Sequence, residues 1–264
     1  VNESPAGHQL LPSSEAFSAR MVEAYGLARS HLIYYGMPWR ARRLRQFYSQ
    51  FVRTGDLCLD IGVHLGNRLA ALARLGARVV ALEPHPTLFR FTRRKYGNWP
   101  GVTVLEKAVG AAAGTAVLRS SRANPTVATL SPDWAAAVAR SPSFARVRWD
   151  QSFQVSVTTL DTLIAEFGLP ALCKLDVEGF ELEALRGLSQ PIATVSLEYT
   201  PAARDLAIGC VERLLELSRY EFNWTIGEST RLKSPDWISG SEMIRHLSAL
   251  PVNHRSGDIY ARLA

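Results

Sequence analysis

The stretch "LCLDIGVHLGNRLAALARLGARVVALEPHP", residues 57–86, decides the reading of this 264-residue chain. A short apolar run ends at Asp60, and a turn carrying Gly62 and Gly66 follows. A helical pattern begins near Asn67, and a second apolar run ends at Glu83. Strand, glycine turn, helix and strand in that order open a nucleotide-binding α/β unit, whose ligands lie at the carboxyl ends of the strands. The two glycines allow backbone to approach a ligand closely. The dinucleotide spacing G-x-G-x-x-G is absent, and Asp60 stands where a dinucleotide fold holds pyrophosphate. Two unit charges ~4 Å apart repel by ~4 kcal/mol at an effective dielectric of about 20. The same carboxylate suits a ligand that carries an ammonium and a sulfonium but no phosphate. An acid at position 83 can accept hydrogen bonds from both ribose hydroxyls. Asp60 and Glu83 together therefore favour S-adenosylmethionine over a nicotinamide dinucleotide, with helix capping or turn formation as their competing role.

The alternation continues outward from this unit. Strands are predicted at 57–60, 78–83, 102–106, 171–175 and 194–199, and helices at 67–75, 86–96, 180–188 and 203–218. Such a pattern implies an α/β fold, a mostly parallel twisted sheet with helices on both faces. "YEFNWTI" and "GDIYARL" read as two closing strands around a short helix near 240–249, which adds an antiparallel C-terminal strand. Residues 110–158 interrupt the pattern, and an insertion of that length is expected to form extra strands and an active-site cover. Residues 1–53 read as an N-terminal helical extension, with a lead-in over 1–13 and helices at about 14–29 and 38–53.

Composition narrows the classes. With 47% hydrophobic and 20% charged residues the chain can build a sizeable core. No apolar run reaches the length of a bilayer span, and no charged segment leads into a signal-like apolar stretch, so a cytoplasmic location is expected. Cys58, Cys173 and Cys210 are widely spaced and odd in number, which suggests inert thiols in a reducing compartment. The net charge of +6 raises the question of nucleic acid. The densest basic segment, "PWRARRLRQFYSQFVR" (38–53), carries Leu44, Phe47, Tyr48 and Phe51 at helical spacing, which leaves Arg40, Arg42, Arg43 and Arg45 on a solvated face. Without glycine–arginine repeats, aromatic RNA-binding signatures or zinc-ligand spacing, no nucleic-acid partner is expected.

A second block, "LCKLDVEGFELEALRGL" (172–188), delivers Lys174, Asp176 and Glu178 toward the carboxyl end of a buried strand, and Gly179 turns into a helix. The two acids either enter the site or cap that helix. Lys174 serves either as a catalyst or as the ion-pair partner of a buried acid. Glu198, at the end of the fifth strand, joins the acceptor side. His64 and His85 lie on loops beside the cofactor and read as bases or as packing residues. Trp134 and Trp149 either line an acceptor pocket or anchor the insertion to the core.

The segments "LDIGVHLGN", "VVALEPHP", "EKAVG", "VTTLDTLI" and "CKLDVEGFELEALRG" stand in the order found in the FkbM family of S-adenosylmethionine-dependent methyltransferases. The last resembles that family's hallmark, K-I-D-V-E-G-x-E. The resemblance covers about 56–200, and the tail "GDIYARL" resembles family endings more loosely. His64 departs from the family's usual asparagine, and His85 from its asparagine or glutamine. The resemblance implies a class I, Rossmann-like methyltransferase fold over 54–264 and methylation of a hydroxyl on a sugar, polyketide or related small metabolite. On the cofactor side it places Asp60, Gly62, His64, Gly66, Asn67, Glu83, His85 and, at the adenine edge, Ala108. On the catalytic side stand Asp176, Glu178, Glu198 and Lys174, without an obligatory metal. A nicotinamide-dependent oxidoreductase and a non-catalytic S-adenosylmethionine-binding protein are the alternatives. A metal-dependent hydrolase lacks any tight ligand motif such as H-E-x-x-H.

Overall fold

A computed structural model describes residues 38–139, 141, 144–145 and 147–264. The lead-in over 1–13 and the helix expected at about 14–29 lie outside the described residues. The apolar runs become strands that are buried on both faces. In β1 (Leu57–Ile61), Leu57, Leu59 and Ile61 enter one core cluster while Cys58 enters another. A central parallel strand alternates its side chains between two covered faces, which is why its sequence reads as a continuous apolar run.

The main sheet has eight strands. β2 (Arg78–Leu82) and β3 (Val102–Leu105) lie on one side of β1, and β8 (Leu172–Leu175) and β9 (Thr194–Tyr199) on the other, all parallel. β12 (Gly257–Leu263) inserts antiparallel between β9 and β10 (Tyr220–Trp224), and the two-residue β11 (Ile238–Ser239) closes that edge. This is the class I methyltransferase arrangement, with the expected antiparallel C-terminal strand. Register sets Asp60 beside Lys174, and Asp258 beside Glu198, near the ligand-binding edge.

Helices cover both faces. α1 (Pro38–Tyr48), α2 (Asn67–Ala73) and the end of α3 (Pro86–Tyr96) pack on one; α5 (Leu160–Phe167), α6 (Glu181–Arg186), α7 (Arg204–Leu217) and α8 (Gly240–Ala249) pack on the other. α1 stops at Tyr48, earlier than its pattern suggested. Phe47 and Phe51 reach Tyr260 of β12, one edge-on at 5.1 Å and one stacked at 5.4 Å. Arg40, Arg42 and Arg43 are exposed and Arg45 is half-buried, as an amphipathic helix on a sheet requires.

The interruption after β3 forms a second sheet in the order β4–β7–β5–β6, from β4 (Ala108–Val109), β5 (Gly114–Ser121), β6 (Asn124–Thr129) and β7 (Gln151–Thr158). It carries α4 (Pro132–Val138) and a small core of Ala108, Leu118 and Val155. Among the described residues no helix is long and apolar enough to cross a membrane. Cys58, Cys173 and Cys210 are all buried and free, and burial raises each thiol; that of Cys58 is pushed up to about 12.

Candidate functional site

The turn after β1 is built for contact with the rest of the protein. Gly62 has φ 79°, and a Cβ there would collide with the Asp176 carbonyl oxygen. Gly66 has φ 81°, and a Cβ there would strike the Tyr96 ring. The absent side chains thus bring the β1 turn against the β8 turn and against α3. Both glycines serve backbone-to-protein approach, and Gly62 also borders the cleft around Glu83.

Glu83 ties the first two loops together. Its Oε2 accepts the His64 N–H at 2.8 Å and its Oε1 accepts the His85 N–H at 2.9 Å. Burial pushes its carboxyl up to about 7 against the opposing pull of those two donors. Each oxygen keeps a lone pair, so two neighbouring hydroxyls can still donate to it. Around it a cleft is lined by Gly62, His64, Ala108, Asp176 and Val177, and roofed by Leu118, Ala128 and Leu130 of the insertion.

The other cofactor-side residues divide. His64 sits at φ 50° with its carbonyl held by the Thr92 hydroxyl at 2.7 Å, and burial pushes its imidazole down. His85 is fully buried. Its Nδ1 accepts the Thr87 N–H at 3.2 Å, capping α3, and its ring meets Phe153 edge-on at 4.9 Å. That is the packing role. Asn67 begins α2 and lines a separate groove on the α1 side. Asp60 is 1% exposed, accepts the Leu69 N–H, and is pushed up to about 6 by burial. It does not line the cleft; its Oδ2 has no hydrogen-bond partner among the described residues.

The second block is held by alternating charges. Lys174 Nζ lies 2.9 Å from Asp258 Oδ1 and 3.3 Å from Asp176 Oδ2. Arg68 stands 3.6 Å from Asp176, 3.8 Å from Asp258 and 3.6 Å from Glu228. Burial alone would neutralise each group, but the partners outweigh it. Asp176 and Asp258 hold Lys174 protonated, and Lys174 and Arg68 hold Asp176 well below the usual carboxylate range. Lys174 is therefore an ion-pair partner, and Asp176 is a fixed negative charge that takes no proton near neutrality.

Helix capping falls to neither Asp176 nor Glu178. α6 has no side-chain cap; Glu181, its first residue, reaches back to accept the Val177 N–H of the preceding turn at 3.0 Å. Glu178 has φ 51°, and its carbonyl accepts the Thr129 hydroxyl at 2.7 Å. Burial raises both Glu178 and Glu198 well above the usual range, and neighbouring acids raise them further: Asp176 and Glu181 for the first, Glu178 for the second. Donor atoms of His64, Asp176 and Glu178 lie within 4.8 Å of one another, a grouping able to hold a metal ion. Lys174 and Arg68 already neutralise Asp176, which lowers the pull of this trio on a dication. Trp134 lies against Gly179 and meets Phe144 and Trp149 edge-on, so it anchors the insertion and also touches the turn after β8.

Arg68, Asp258 and Thr129 escaped the sequence reading. A cation in the first turn of α2 opposes the helix dipole, and an acid interrupts the apolar strand "GDIYARL"; both are signals of a buried partner.

The donor set fits S-adenosylmethionine. A buried carboxylate with spare lone pairs suits ribose hydroxyls, the small Ala108 leaves room at the cleft wall, and the acids Glu83 and Asp176 outnumber the single lysine, Lys107, on the lining. The profile of the methyltransferase FkbM domain matches residues 60–223, more than half of the chain. Among solved structures, a TehB-like SAM-dependent methyltransferase from Corynebacterium glutamicum is similar over 93% of this chain and 99% of its own, at 12% identity and a TM-score of 0.46. Precorrin-6y C5,15-methyltransferase from Geobacter metallireducens is similar over 85% and 86%, at 14% identity and 0.44. An O-methyltransferase from Bacillus cereus in complex with SAH is similar over 97% and 94%, at 14% identity and 0.42. No curated protein sequence matches the chain. The profile match takes in both the Asp60–Glu83 unit and the Lys174–Glu178 block, and the chain belongs to the FkbM methyltransferase family, with S-adenosylmethionine as its cofactor.

Proposed function

We propose that the protein methylates a hydroxyl of a small metabolite, sugar or polyketide-type acceptor, in the cytoplasm and without a nucleic-acid partner. The observation that carries this reading is the pair Glu178 and Glu198, two half-buried carboxyls with raised proton affinity at the ends of β8 and β9. The cofactor supplies a methyl group already activated by its positive sulfur. An alcohol still has to lose a proton as it attacks, so a positioned base of raised pKa serves it directly. Glu178 and Glu198 stand beside one another and take that proton; Asp176 keeps its charge throughout and favours a cation nearby. Glu83 receives the ribose hydroxyls, and Ala108 borders the adenine. Leu118, Ala128 and Leu130 exclude water, which strengthens each charge interaction inside. The test incubates the protein with methyl-labelled cofactor and fractionated host metabolites and locates the label in the product. Label on an oxygen of a small molecule is the expected result. Label recovered on carbon, or in RNA, overturns the proposal.

A further inference from the structure

A groove of about 210 Å³ lies on the α1–α2–α3 side of the sheet, apart from the cofactor cleft. Its floor is apolar, from Leu44, Ala70, Ala71, Tyr96 and Trp99. Its rim is cationic and comes from three different helices: Arg40 and Arg43 of α1, Lys95 of α3, and Arg74 at the end of α2. One helix face rich in arginine is ordinary solvated surface. Cations converging on a common apolar floor from three elements are not explained that way. Among the described residues neither Arg43 nor Arg74 forms an ion pair. The rim's carboxylate, Glu228, is already matched by Arg68 at 3.6 Å. The Arg74 guanidinium lies 5.4 Å from the Trp99 ring centroid, so aromatic surface and positive charge adjoin at one end. Burial, and then the nearby Arg74 charge, pushes the Lys95 ammonium down.

We propose that this groove binds an amphipathic organic anion, a flat apolar body carrying one oxyanion head. The body lies on Trp99 and Leu44, both half-buried at the groove, where its desolvation favours binding. The head meets Arg43 and Arg74, whose planar guanidinium groups match phosphate or carboxylate by paired N–H donors. The site stands independently of the methyl-transfer reading, since neither Glu178 nor Glu198 lines it.

The test titrates 1-naphthyl phosphate into the full-length protein by calorimetry without cofactor, beside 1-naphthol and inorganic phosphate. Saturable one-to-one binding of naphthyl phosphate is expected, at least tenfold tighter than either half. The double variant Arg43→Glu/Arg74→Glu should weaken it at least tenfold. Arg43→Gln/Arg74→Gln, which removes charge without reversing it, provides the same comparison should the first variant fold poorly. Inorganic phosphate binding as tightly as naphthyl phosphate, or unchanged affinity in the glutamine variant, overturns the proposal. So does displacement of the probe by an RNA oligonucleotide at a concentration below the probe's own Kd, which would mark a nucleic-acid surface.

Discussion

Replacing Glu83 with glutamine tests, in the apo protein, the carboxylate that ties the first two loops together. Glu83 is 2% exposed, and burial raises its carboxyl from the usual 4.5 to about 7. At ~1.4 kcal/mol for each tenfold change in proton affinity, ionising it in place costs ~3 kcal/mol. The folded state holds a proton that the unfolded chain releases between those two values. This carboxyl's contribution is therefore fully present below pH 4.5 and is lost as pH rises through about 7. Glu83→Gln removes that titration. It also forfeits one of the two backbone N–H acceptor positions at 2.8 and 2.9 Å, a loss of ~1.5–3 kcal/mol that barely depends on pH. The informative quantity is thus the stability difference between variant and wild type, followed by urea unfolding from pH 5 to 8. The variant should gain on the wild type by ~2–3 kcal/mol across that range, starting from a deficit. A difference constant to within ~0.5 kcal/mol would show that Glu83 titrates as an ordinary surface acid and would refute the reasoning.

The remaining expectations concern the second block and the turn it touches. Glu178→Gln and Glu198→Gln should each lower kcat by ~100-fold or more with cofactor Kd nearly unchanged. The wild-type rate should fall with acidification at a midpoint above the ordinary glutamate range, because the base works only when ionised; a rate flat down to pH 4.5 would exclude both. Lys174→Met strands Asp176 and Asp258 with Arg68 as their remaining cation, so a loss of ~3–5 kcal/mol in urea is expected, and wild-type stability would show the network to be idle. Gly62→Ala combines a left-handed backbone with a collision at the Asp176 carbonyl, so a lower Tm and weakened cofactor binding should appear together; an unchanged Tm would mean that the two turns do not touch. Chelation should leave turnover intact, whereas a loss restored by magnesium would reassign His64, Asp176 and Glu178 as metal ligands.

The sheet was legible because parallel strands announce themselves twice, as apolar runs and as acids at their carboxyl ends. Asp60, Glu83, Asp176 and Glu198 all stand at such ends. What each acid does there was not legible, since it depends on partners far along the chain. Asp176 reads as a candidate base until Arg68, 108 positions earlier, and Lys174 fix its charge. Lys174 reads as an even choice until Asp258, 84 positions later, meets it at 2.9 Å. The glycines gave the right turn for an incomplete reason: their neighbours are a carbonyl and a tyrosine ring from other elements. α1 was overextended because Phe51 keeps helical spacing after the helix has ended, and uses it to stack on Tyr260.

The Thr129 hydroxyl on the Glu178 carbonyl has a consequence for how such a protein can change its acceptor. The inserted sheet looks like a detachable module, yet its edge strand β6 pins the backbone of the residue proposed to take the proton, and Trp134 rests on the next one. Exchanging the whole module for a relative's would retune the base along with the pocket. Acceptor preference is therefore mechanically geared to reactivity. New preferences are reached more safely by single replacements beside Glu198, at Ala203 or Leu206, which line the hollow there without gripping that turn.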